Sequence, residues 1–243
     1  MTKPPTWRNL VALDVLFNNL TTGLFLVAAV GELAVPTVFT QVATWAYPLA
    51  LALLLIDLGL LVLDLGDPLR FHHMPRVFKP SSPMSHGTRC LTVYSLFLTA
   101  ILAVELVVAA GWLPGDAGLS WWARKVAVVG GLPFALGSVA YKGVLFSTTA
   151  QPGWRDAQWL GAYLRNSALL LGAAELLVIA AVASEARAAA GVVVLLAGVA
   201  IPVGLLFVGG GLVVASLVLV AIVLASLGVR FLIVRLPRLA TEA

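Results

Sequence analysis

Apolar runs of twenty or more residues recur along this chain, and their recurrence dictates its solvent before any single residue is considered. A helix crosses the hydrocarbon of a bilayer with about 20 mainly apolar residues. Runs of that kind, broken where Pro, Gly and charge accumulate, cover 12–36, 43–66, 88–111, 123–148, 160–184, 187–207 and 210–234. The expected fold is an all-α integral membrane protein, a polytopic bundle of seven transmembrane helices, or eight if residues 185–234 are divided further. Composition closes the alternative: 61% of residues are hydrophobic and 11% charged, against roughly 25% charged in soluble domains. So few charges cannot cover a water-facing surface.

Lys3 and Arg8 precede the first run as they would in a signal peptide, but Asn18, Asn19, Thr21 and Thr22 interrupt it, so helix one is expected to be retained. The net charge of +4 would suggest nucleic acid in a soluble protein. Here the basic residues fall between the runs, where they set topology and offer docking charge, and no nucleic acid is implied. The single cysteine, Cys90, excludes an internal disulfide and a four-cysteine iron–sulfur cluster. The longest connection, about 67–87, is too short for a further domain, so 1–243 reads as one membrane domain.

Polar residues divide that domain unevenly. Asp14, Asn18, Asn19, Asp57, Asp64, the three histidines, Tyr141, Lys142 and Asn166 all precede residue 170, whereas 176–243 reads as bland packing helices rich in Leu, Val, Ala and Gly. If the helices alternate in direction, the N-terminus and the connections 67–87 and 148–159 share one membrane face, here termed side A. Asn18, Asn19, Asp64, Tyr141 and Lys142 then approach that face at similar depth. Transporters commonly carry internal repeats and midplane polar sites; this gathering at one face, with no repeat evident, points away from a transporter or channel, which stays as an alternative.

His72, His73 and His86 lie in one connection and none lies in a span, and Met74 and Met84 share that connection. Helix-borne axial ligands for a haem are therefore not evident, and the His72, His73, His86, Cys90 spacing matches no zinc pattern. The expectation is no haem and no metal in this chain.

At the second connection the sequence becomes specific. Leu63-Asp64-Leu65-Gly66-Asp67-Pro68 leads through Arg70-Phe71 to Ser82-Pro83-Met84-Ser85-His86-Gly87; later come Ala140-Tyr141-Lys142-Gly143, Pro152-Gly153-Trp154 and Ser167-Ala168 with Gly172. In order and spacing these segments resemble the NrfD/PsrC family, whose members carry D-L-G-R-P, S-P-M-S-x-G, Y-T-G and P-x-W and serve as membrane subunits of polysulfide and related respiratory reductases. The motif-bearing part is 12–175. Asp67 stands in place of the family's Arg, Lys142 in place of its common Thr, and Gly153 in place of a bulkier residue. These departures keep open a passive anchor that has lost the site.

The resemblance implies a multi-pass protein of the cell inner (cytoplasmic) membrane that binds quinone or quinol, either menaquinone or ubiquinone, at side A. It also implies two partners, a ferredoxin-like iron–sulfur subunit docked on that face and a catalytic subunit of molybdopterin or haem type. Candidate quinone-binding residues are Asn18, Asn19, Asp64 and Tyr141, with Asp64 exchanging protons or holding Lys142. Asp57, seven residues before Asp64, falls on nearly the same helical face about 10 Å deeper; with Glu105 and Glu175 toward the far side, a proton-transfer series of Asp57, Asp64, Glu105 and Glu175 can be drawn. Arg70, His72, His73, Arg76, Lys79 and His86 are the docking candidates. Trp7, Trp112, Trp121, Trp122, Trp154 and Trp159 sit at span boundaries, where interfacial anchors are expected.

Overall fold

The computed structural model describes residues 9–65, 67–73, 76–115, 118–148, 154 and 159–183, together with 220, 223, 224 and 226. Among them are five helices long and apolar enough to cross a membrane, and no strand. These are α1 (Asn9–Ala34), α2 (Pro36–Asp64), α3 (Pro83–Ala109), α4 (Leu119–Ser147) and α5 (Leu160–Ala183), with a 3-10 turn, Pro68–His73, between α2 and α3. They match the first five expected spans to within a few residues except at one end. The sixth and seventh expected spans lie almost wholly outside the described residues.

The exception is the start of α2. The sequence suggested a connection over 37–42, but α2 begins at Pro36, so Val35 alone separates it from α1. Proline is at home in the first helical turn, where its missing N–H would have no partner anyway. Gly31 makes the reversal possible: a Cβ there would overlap the Phe39 ring, which folds back onto α1. Val35 N–H donates to Gly31 O at 2.8 Å, and Phe39 N–H to Val35 O at 3.0 Å, closing the turn.

α1 is the central helix, packed by α2, α4 and α5, while α3 packs mainly on α4. Its core faces carry Leu24, Phe25, Ala28 and Ala29, which meet Tyr47 and Leu54 of α2 and Tyr94 and Leu98 of α3. Small residues set the closest approaches: at Gly23 a Cβ would strike the Ala168 carbonyl, at Gly172 the Gly23 backbone, and at Gly143 the Gly161 backbone. Gly130 and Gly131 are filled by Phe97 and Phe25, and Gly137 by Cys90. The helix-four glycines therefore serve helix contact. Helix directions alternate, because the end of α1 meets the starts of α2 and α4 through Glu32, Tyr47 and Arg124, while its first turns meet the ends of both through Asp14, Asp57 and Lys142.

The aromatic expectation holds in part. Trp112, Trp121, Trp122 and Trp159 are exposed, whereas Trp154 is fully buried against Phe146, ring centroids 4.9 Å apart, within a cluster formed by α1, α4 and α5. Trp154 is thus a core residue of the side-A loop, not an interfacial anchor, and Trp7 lies outside the described residues.

Candidate functional site

Polar side chains inside the described helices collect into two clusters, one toward each face. The side-A cluster centres on Lys142 of α4, only 3% exposed. Its ammonium has three donors and three acceptors around it: Asp14 Oδ2 at 2.9 Å, Asp14 O at 3.0 Å and Asp57 Oδ1 at 3.3 Å. Asn18 continues the network, donating from Nδ2 to Asp57 Oδ2 and to Ser138 Oγ, both at 3.1 Å. Asn19 faces the other way and donates to Leu164 O at 2.8 Å.

Helical spacing explains the assembly. Asp14 and Asn18 are four residues apart on α1, and Ser138 and Lys142 four apart on α4, so each pair shares a face. The cluster lies about two turns below the side-A ends of α1, α2 and α4, where a buried charge must be paired or it is costly.

Three buried oxygens of this region have no hydrogen-bond partner: Asp14 Oδ1, Asn18 Oδ1 and Asn19 Oδ1. The amide orientations follow from their partners, since reversing Asn18 would set its oxygen against the Asp57 carboxylate and reversing Asn19 would set its oxygen against a carbonyl. The two amide oxygens therefore accept, as Asp14 Oδ1 does while its carboxylate is ionised. What they call for is a donor, such as water or a hydroxyl.

Tyr141 precedes Lys142 and lies on the other side of it. The Lys142 Nζ is 5.9 Å from the Tyr141 ring centroid, and Tyr141 lines a pocket of 360 Å³ between the start of α3 and the end of α4. Pro80, His86, Gly87, Cys90, Gly137 and Val144 form most of its remaining wall. Gly87 is required beneath the ring, because a Cβ would overlap three of the Tyr141 ring carbons. The volume lies at the low end of the roughly 300–1,000 Å³ of small-molecule sites, and the mainly apolar lining with few polar groups is their usual form.

The candidate site residues are thus distributed as follows. Tyr141 lines the side-A pocket; Asn18 and Asp57 belong to the Lys142 cluster; Asn19 is beside α5; Asp64 is exposed at the end of α2. Lys142 has its ion pairs with Asp14 and Asp57. Glu105 belongs to the second cluster, toward the opposite face, where Arg124 pairs with both Glu105 and Glu32, Lys125 with Glu32 at 3.0 Å, and Tyr47 OH donates to Glu32 at 2.7 Å. Glu32, two residues from the end of α1, is 1% exposed. Glu175, 6% exposed on α5, keeps Oε2 without a partner. Between the clusters the Tyr94 hydroxyl donates to Thr21 O at 3.1 Å, with Phe25 packed against both Tyr94 and Tyr47.

His72, His73, Arg76, Lys79 and His86 are exposed on side A, and Arg70 lies in the 3-10 turn among them. His72 Nδ1 is 2.8 Å from Leu69 O and His86 Nε2 is 2.7 Å from Pro80 O, so both rings are held by backbone. Among the described residues no three His, Cys, Asp or Glu side chains are grouped to hold a metal ion. Asp14 and Ser138 were missed as members of the site by sequence reasoning; the signal lay in their four-residue spacing from Asn18 and Lys142.

A protein-family model described as Polysulphide reductase, NrfD matches residues 1–235. No curated protein matches the chain.

Proposed function

The chain belongs to the NrfD, polysulphide reductase family, and on that footing we propose that it is the quinone-reactive subunit of a respiratory oxidoreductase, exchanging electrons with an iron–sulfur subunit docked on side A. The coarser part of this follows from membership: a multi-pass membrane protein and a membrane subunit of a redox complex. The finer part is supported by one observation above the rest. Tyr141 joins an apolar pocket open toward side A to a buried ammonium held by two carboxylates.

A quinone, when bound, carries two electrons and two protons between the partner and the membrane. The pocket suits its ring: Tyr141 offers a hydroxyl at one wall, and Pro80, Pro83 and Val144 supply apolar surface. Tyr141 orients the ring by hydrogen bonding, held against α3 by Gly87. Asp14 and Asp57 move protons to and from this wall, held in place by Lys142 and Asn18, with Asp64 at the water-facing end of α2. The exposed His72, His73, Arg76, Lys79 and His86, with Arg70 in the same segment, form the surface on which an acidic partner docks. Either menaquinone or ubiquinone meets these requirements, and the substrate of the complex is set by its catalytic subunit.

The reading is tested by extracting quinone from the purified complex and titrating a short-chain quinone analogue. Roughly one quinone per chain is expected, with Tyr141→Phe weakening the analogue about three- to tenfold, the worth of one hydrogen bond. Absence of bound quinone together with unchanged turnover in Tyr141→Phe would refute it.

A further inference from the structure

The side-A cluster contains two carboxylates and one ammonium, so if all three are ionised it leaves a net negative charge buried between α1, α2 and α4. Burying a net charge costs several kcal/mol even after relaxation, whereas a single added proton makes the cluster neutral. The two carboxylates share one ammonium, since Lys142 Nζ lies 2.9 Å from Asp14 Oδ2 and 3.3 Å from Asp57 Oδ1.

The two acids are not equivalent. Asp57 is fully buried and both its oxygens are engaged, Oδ1 by Lys142 and Oδ2 by Asn18. Asp14 is also buried, engages Oδ2 with Lys142, and leaves Oδ1 without a hydrogen-bond partner. Four residues on, Asn18 Oδ1 is also open, and these two acceptors on one face of α1 can both be satisfied by a protonated group or a water. A proton arriving from side A meets the open oxygen of Asp14 without displacing a donor; at Asp57 it would have to displace Lys142 or Asn18.

We propose that Asp14 and Asp57 jointly hold one exchangeable proton, with the open oxygen of Asp14 as its port and Lys142 as the fixed charge that makes one proton, and not two, the neutral loading. The proton belongs to the pair and is assigned to neither residue alone. The titratable groups that interact with the pair are Lys142 and Tyr141 from α4 and Tyr94 from α3. Of these, Lys142 alone is ion-paired to it. The proposal rests on the quinone reading only for what consumes the proton; the loading itself is measured without quinone.

The test is infrared difference spectroscopy of the purified complex between two pH values, following the protonated-carboxyl stretch and its shift in heavy water. The wild type should show one such exchangeable band, and proton uptake per chain should fall by a single proton when it is lost. Both Asp14→Asn and Asp57→Asn should abolish it, since either leaves one carboxylate against one ammonium, while Glu175→Gln should retain it. Persistence of the band in either aspartate variant, or its loss in Glu175→Gln, overturns the proposal. Where an asparagine variant does not accumulate, Asp14→Glu decides: the band must be present and displaced in frequency, and an undisplaced band overturns the proposal. None of these outcomes depends on quinone occupancy, which is scored separately by extraction.

Discussion

Replacing Lys142 by methionine keeps most of the side-chain volume and removes the ammonium. The structure gives the loss directly: three donated hydrogen bonds, at 2.9, 3.0 and 3.3 Å, two of them to carboxylates. Asp14 and Asp57 are then left facing each other without a cation at almost no exposure. Breaking a buried ion pair from one side costs about 3–5 kcal/mol. At about 2–4 °C per kcal/mol for a chain of this size, the apparent Tm in detergent should fall by roughly 6–20 °C. Tryptophan fluorescence during a thermal ramp measures it. The triple variant Lys142→Met, Asp14→Asn, Asp57→Asn carries no charge in the cluster, and because a charge-free core of the same shape is often as stable as the ion pair, it should recover most of the loss. A single variant within about 2 °C of the wild type, or a triple variant no better than the single, would refute the view that Lys142 is the cation compensating two buried carboxylates.

Gly87→Ala should displace the Tyr141 ring, an overpacking cost of about 1–3 kcal/mol, and raise the KM for a quinol analogue more than it lowers kcat in steady-state assays. Charge reversal at Arg76 and Lys79 should weaken binding of the iron–sulfur subunit at low salt and flatten its loss as salt is raised, read by co-purification at several ionic strengths. Gly172→Leu forces α5 away from the Gly23 backbone; the chain should lose its cooperative thermal transition, whereas Gly59→Leu, at a position with open space around it, should unfold as the wild type does.

Much of the helical frame could be read from the sequence because its signal is long and redundant: each of the five spans repeats the same apolar statement over more than twenty residues. The α1–α2 link escaped because residues 37–42 carry little that distinguishes a connection from a helix in lipid, and a proline after an apolar residue fits either a break or a first turn. Convergence of Asn18, Asn19, Asp64, Tyr141 and Lys142 toward one face was legible, with Asp57 read as lying deeper on the same helix as Asp64, since depth follows from residue number along a helix. Their partners were not. Pairing depends on how each helix is rotated about its axis, and that rotation is fixed by Gly23 against Ala168 and Gly143 against Gly161, contacts that no local pattern announces. Lys142 accordingly has its ion pairs with Asp14 and Asp57 while Asp64 faces outward at a helix end. Trp154 misled for a related reason: loop tryptophans in membrane proteins usually mark the interface, but this one is drawn inward by Phe146 and the first turns of α1.

The single residue between α1 and α2 acts as an elbow. Two long rods joined there cannot part at that end, so any change in their mutual tilt is magnified along their length. α2 has 29 residues, which makes it about 43 Å long, and a tilt of about 5° would move its far end by roughly 4 Å while leaving the elbow almost still. The far end is where Asp57 grips Lys142 and where the pocket opens. Leverage in this bundle is therefore concentrated on the face that carries the chemistry, and the Glu32 knot near the pivot is spared most of it.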